Sequence, residues 1–349
     1  MFKNLRTSTK LFILCGTFMI SVGVPIYGLV TEKQIAIDFA RKELVGSRYL
    51  VTVRGIFAAI VAIQLNNEPL ERRGASTDGI LKALAEMESR GSGGFQTAEF
   101  AQALAAILRD LGSIKAEGGN ISALALDAFS KAQTLAARIG DDSNLSLDPD
   151  LDSYYVQHII AIKLPTFIGR LSELQEFFET SVAAGLPSIV REVRLPILVS
   201  QLRSTASEVK GNLEAAYRGN PDGNLKQAID REFAAMMSSM NSYLGVLSVS
   251  ATGVDARDTT THNRFHVRAL DSAIKAWVVA QSELDRLLQQ RIDNLLGRMH
   301  LGLALIAAFA GLSIFVAIEP PRVCRRLQLL RDWSHDESQD IPEVFRRSA

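Results

Sequence analysis

Two apolar runs, LFILCGTFMISVGVPIYGLV at positions 11–30 and MHLGLALIAAFAGLSIFVAI at 299–318, constrain this 349-residue chain more than any other feature. Each is about the 20 residues a helix needs to cross the hydrocarbon core of a bilayer, and His300, at one edge, is the one side chain in either that can gain a positive charge. Both read as transmembrane helices. Lys3, Arg6 and Lys10 precede the first run, and Arg322, Arg325, Arg326 and Arg331 follow the second, so the positive-inside bias puts both termini in the cytoplasm. A cleaved signal peptide competes for the first run. Its apolar part is longer than such a peptide carries and no small-x-small cleavage site follows, so it reads as a retained anchor. The expected organisation is a cytoplasmic N-terminus (1–10), a first span (11–30), an external region (31–298), a second span (299–318) and a short cytoplasmic tail (319–349).

The external region holds 29 basic and 32 acidic residues, a net charge of −3, and offers no single-sign field for nucleic acid. Cys15 lies in the first span and Cys324 in the tail, so no disulfide staples the outer region and its stability must come from a core.

Apolar residues in that region recur with helical period. Ile35, Phe39, Leu44, Tyr49, Val53, Phe57 and Ile60 mark one long helix over about 31–65, closed by Asn66, Asn67 and Pro69. Further helices are expected at 77–90, 97–111, 121–139, 149–184, 188–217, 225–247 and 263–298, separated by Gly, Pro and Ser/Thr breaks, of which GNPDG at 219–223 is the strongest. Pro165 can kink or interrupt its helix, and Pro196 can disturb the one over 188–217. No stretch alternates as a strand would. The fold class is therefore all-α: two transmembrane helices flanking an elongated helical bundle, with the stretch SNLSLDPDLDSYYVQHIIAIKLP (143–165) dividing it into halves that could form two stacked bundles.

That stretch also shows its own local chemistry. Asp148, Pro149 and Asp150 follow the order of a helix start, so both aspartates are expected to cap a helix beginning near Pro149. Tyr154 and Tyr155 then fall on adjacent faces, placed either for packing or for contact with a ligand. Asp148, Asp150 and Asp152 alternate like the start of a calcium loop, but Ser153 stands where that loop needs glycine and Ile159 where it needs an acid.

Three blocks, KELVGSRYL (42–50), ERRGAS (71–76) and SNLSLDPDLDSYY (143–155), resemble the all-helical periplasmic sensor region of bacterial transmembrane receptors. Such regions precede chemotaxis, histidine-kinase or diguanylate-cyclase output modules. The second block departs from the family pattern, with Glu71 and Arg72 where a Gln-His pair is common. The resemblance implies an inner-membrane receptor that binds a small molecule or a periplasmic binding protein and moves its second span to reach a cytoplasmic signalling partner. It also implies a homodimer. After the second span, EPPRVCRRLQLLRDW resembles the start of the linker helix of such receptors, and the chain reads as an input half.

Candidate ligand contacts are Arg48, Tyr49, Arg72 and Arg73, with Tyr154 and Tyr155; Arg54 lies nearby. A guanidinium facing the bundle interior would clamp a carboxylate or a nitrate-like anion, although a solvated or salt-bridged arginine is the commoner use. His262 and His266, at i and i+4, would present both imidazoles on one face, but no third ligand stands near, so they are read as a pair at a loop edge without metal; His158 is read as an ordinary bundle position. No nucleophile context or phosphate-cradling loop points to an enzyme, and no cofactor is expected. The alternative function is a structural adaptor, whose bundle docks an envelope partner through an exposed apolar stripe.

Overall fold

The structure, a computed structural model, describes residues 7–64, 77–91, 95–117, 121–183, 188–252 and 259–336. Those residues form α1 (Thr7–Gln64), α2 (Thr77–Gly91), α3 (Ala98–Glu117), α4 (Ile121–Asp142), α5 (Leu151–His158), α6 (Leu164–Ala183), α7 (Ser188–Gly219), α8 (Asn224–Thr252) and α9 (Thr259–Asp336). There is no strand among them, as the helical periodicity requires.

The two prolines behave differently, and burial accounts for it. A single helix is expected from Pro149 onward, yet α5 and α6 are joined by a π-helical turn, Ile159–Lys163, in which the Leu164 N–H reaches back five residues to the Ile159 carbonyl. Pro165 follows at once and is buried. It has no N–H, and its ring presses on the carbonyl four residues earlier, so the backbone just before it widens. Pro196 is exposed within an unbroken α7, as is Glu192, whose carbonyl loses its partner there, so water can take that bond and the helix continues through the proline.

The chain divides into two compact units, residues 1–37 with 293–349, and 38–292. In the first, Ile20, Val24, Tyr27, Leu301, Leu305, Phe309 and Leu312 are all more than half exposed. Large apolar side chains left bare at this density on two helices are costly in water and at home in lipid. Both α1 and α9 contain stretches long and apolar enough to cross a membrane. Inside this unit the Leu29 side chain packs where Gly302 has no Cβ.

The second unit is built around one continuous cluster of buried apolar residues, reaching from Tyr49 on α1 to Leu288 on α9. Its centre is an aromatic knot in which Phe57 meets Phe129 at 5.3 Å and Trp277 at 5.4 Å between ring centroids, tying α1, α4 and α9 together. Helices α3 and α4 pack on each other, α4 packs on α6, and α5 and α6 both pack on α7. The core therefore does not divide at residues 143–165, where two bundles were anticipated.

Two glycines let backbones meet at the connection between α4 and α5. A Cβ on Gly46 of α1 would overlap the Ser143 side chain, and one on Gly219 would lie 2.7 Å from the Asp152 nitrogen and 2.9 Å from the Leu151 Cβ. Asn220 completes that corner by donating to Asp152 Oδ2 at 3.1 Å and accepting from the Leu225 N–H at 3.2 Å. Gly46→Ala is therefore expected to destabilise the protein by about 1–3 kcal/mol through overpacking. Adding Ser143→Gly should restore most of the loss in thermal melts; no restoration would mean that the two residues do not touch.

Candidate functional site

The connection between α4 and α5 is short and conformationally specific. Asn144 adopts a left-handed conformation (φ 65°) that asparagine tolerates better than most residues, and Leu145–Leu147 follow as a 3-10 turn. Asp148 then accepts the Asp150 N–H at 2.8 Å through its own Oδ1, closing an Asx turn. Helix α5 begins at Leu151 with Asp150 in the N-cap position, but its side chain makes no capping bond there. Asp148 thus keeps a capping-type bond while Asp150 makes none, and both carboxylates also bond Arg291 of α9.

Arg291 is the hub of the site. Its Nε donates to Asp150 Oδ2 at 2.6 Å, Nη1 to Glu43 Oε2 at 2.8 Å, and Nη2 to Asp148 Oδ1 and to the Ser153 hydroxyl. The Glu43 and Asp148 side chains are fully buried, that of Arg291 nearly so, and that of Asp150 is more than half exposed. A single fork-shaped cation thus ties α1, the α4–α5 connection and the first turn of α5 to α9.

Three carboxylates around one guanidinium are not electrically balanced, and the imbalance falls on Glu43. Burial, reinforced by the neighbouring Asp148 charge, pushes its carboxyl from 4.5 up to about 8 against the pull of Arg291. Asp148 is likewise raised by burial, with Arg291 opposing. Glu43 Oε1 and Asp148 Oδ2 are buried without a hydrogen-bond partner among the described residues, which fits a site that takes up a proton.

The same two helices are joined again one turn along. Ser47, fully buried, donates its hydroxyl to Asp285 Oδ1, and the Gln281 amide donates to the Ser47 carbonyl at 2.9 Å. Lys42 reaches Asn144 Oδ1 at 3.5 Å. The first and third of the blocks with a family resemblance, 42–50 and 143–155, are therefore in direct contact through Gly46 and Ser143, Lys42 and Asn144, and the shared Arg291.

The candidate ligand contacts fare unequally. Arg48 is exposed, whereas Tyr49 is buried, donates to the Met87 carbonyl at 2.9 Å and meets Phe95 edge-on at 5.2 Å, which fastens α1 to α2. Arg72 and Arg73 lie outside the described residues. Arg54 is half-buried, and burial lowers its pKa against the opposing charge of Asp285. Tyr154 and Tyr155 are half-buried and meet edge to face at 5.1 Å, while Tyr154 stacks over His158 at 6.4 Å. The His158 Nδ1 and the Asn212 amide nitrogen are 2.7 Å apart, which links α5 to α7.

His262 lies in the first turn of α9 and His266 in its second. Both are buried on α9, His262 stacked on Phe178 at 4.4 Å and His266 beside Tyr243 at 5.4 Å. Burial lowers the His266 pKa to about 3, so it packs as a neutral ring. Among the described residues no group of three or more His, Cys, Asp or Glu side chains is placed to hold a metal ion.

Glu43 and Arg291 were the residues that pattern reading passed over. Glu43 lies in the buried register of α1 with Ile37, Ala40, Ser47 and Leu50, so a charge on an apolar helical face was the available signal. Comparison with protein-family models, curated proteins and solved structures found no match.

Removing the cation would strand buried carboxylates, so Arg291→Met should cost about 3–5 kcal/mol of stability, and Arg291→Lys should recover little because an ammonium cannot reach all three acids at once. Chemical denaturation of the detergent-solubilised protein measures both. The raised Glu43 pKa sets the sign of a pH effect: between about 4.5 and about 8 the folded state keeps a proton that the unfolded chain has released. Its contribution is fully present below the ordinary carboxylate range and is lost as pH climbs toward about 8, a change on the order of a few kcal/mol. The thermal midpoint should fall from pH 5 to pH 9, and Glu43→Gln should flatten that fall.

Proposed function

We propose that this protein is a signal-input receptor of a bacterial inner membrane. In this reading residues 31–298 lie in the periplasm, α1 and α9 cross the bilayer, and both termini are cytoplasmic. The observation that carries the reading is the Arg291 clamp. Arg291 and Glu43 lie on the two helices that continue into exposed apolar stretches, and the same guanidinium holds the connection between α4 and α5. A shift of that connection is thereby a shift of α1 against α9. The stimulus is a small molecule or a periplasmic binding protein, the output passes to a cytoplasmic signalling partner, and the receptor works as a homodimer. A stimulus biases two helix arrangements only by its differential affinity for them, a coupling of about 1–3 kcal/mol.

An adaptor reading draws support from a different surface. Ile189, Val190, Val193 and Ile197 leave an exposed apolar stripe along the start of α7, such as an envelope partner would cover. Proximity labelling from the external region separates the two readings, because a stable protein partner without any small-molecule response favours the adaptor.

The receptor reading is tested in membranes with Leu29→Cys and Gly302→Cys, placed where α1 touches α9, in a chain whose Cys15 and Cys324 are replaced by serine. The rate of disulfide formation should change when periplasmic extract or a metabolite panel is added. A rate indifferent to every addition would contradict signalling by helix displacement.

A further inference from the structure

The helices α4 and α6 face each other across a cavity of about 360 Å³, within the size range of small-molecule sites. Matched helical strips line it: Leu126, Phe129, Ser130 and Gln133 from α4, at i, i+3, i+4 and i+7, and Thr166, Gly169, Arg170 and Glu173 from α6 at the same spacing. Its shape depends on the buried proline. Gln133 donates to the Pro165 carbonyl at 3.0 Å, next to the widened backbone turn, and a Cβ on Gly169 would lie 2.8 Å from the same amide nitrogen. Widened turns of this kind gather at functional sites.

Chemically, the lining has three parts. Arg170 and Glu173 form an ion pair through Nη1 and Oε2 at 2.7 Å, both about one-third exposed, and the remaining guanidinium N–H groups make no hydrogen bond to any described residue. Leu126 and Phe129 supply an apolar wall, while Ser130, Gln133 and Thr166 are neutral hydrogen-bonding groups. A cation and an anion one helical turn apart match a molecule that carries both charges.

We propose that this cavity binds a small zwitterion of amino-acid size, its carboxylate on Arg170, its ammonium on Glu173 and its apolar part against Leu126 and Phe129. The proposal rests on the receptor reading and gives it an input site. The connection joining the two walls runs through residues 143–150, the segment that Arg291 holds. A ligand that changes the spacing of α4 and α6 therefore pulls on the clamp.

Calorimetric titration of the full chain in lipid nanodiscs with the twenty amino acids, small betaines and the matching hydroxy acids tests this. At least one amino acid should bind, and Arg170→Gln and Glu173→Gln should each weaken it about tenfold or more with an unchanged thermal midpoint. The hydroxy acid lacking the ammonium should bind more weakly than the amino acid, and Glu173→Gln should erase that preference. Binding untouched by both substitutions, or no binding by any zwitterion, overturns the assignment of this cavity. The receptor reading is judged separately by the Leu29/Gly302 cross-link, which can still respond to another class of stimulus.

Discussion

A single buried guanidinium facing three carboxylates is the constraint around which the second compact unit is arranged. An arginine taken out of water is tolerable only where its donors are met, and Arg291 meets them with Glu43, Asp148, Asp150 and Ser153. These partners are separated by as much as 248 positions in sequence, so the interaction exists only once α1, α5 and α9 are in place. Buried apolar area drives the collapse of the bundle; the charge cluster joins α1, the α4–α5 connection and α9 within it. Three acids against one cation leave an excess of negative charge, and the result is a glutamate whose protonation is tied to the fold.

Much of the architecture was legible because helices announce themselves through periodicity. The breaks at 142 and 219 fall where Asn, Gly or Pro signals stand in the sequence, and the two apolar stretches were evident from length alone. The site was less legible. Asp148 and Asp150 have the local signature of caps, and Asp148 keeps its bond to the Asp150 N–H, but no local rule shows that both carboxylates also meet Arg291 of a distant helix. Arg48 was read as a ligand contact, and Glu43, in the same 42–50 block, was passed over. A buried position is told from an exposed neighbour only once the helical register is known, and Arg48 points to water while Ser47 beside it is buried.

His262 and His266 show the same limit from the other direction. Their spacing was read correctly as one helix face, but which face lies inward is a property of the tertiary core, set here by Phe178 and Tyr243. The two prolines are a further case. Identical backbone chemistry gives a π turn at buried Pro165 and no break at exposed Pro196, because only the latter leaves its orphaned carbonyl beside water. In each example the residue type set the options and burial chose among them.

The central claim is that Arg291 couples the α4–α5 connection to the helices that carry the apolar stretches. Amide hydrogen exchange of the full chain in nanodiscs, compared between wild type and Arg291→Met, tests it most directly. The account predicts that residues 40–47 of α1 and 143–153 lose protection together, while the aromatic knot around Phe57, Phe129 and Trp277 keeps it. Loss at one of the two segments alone, or uniform loss across the whole bundle, would contradict it.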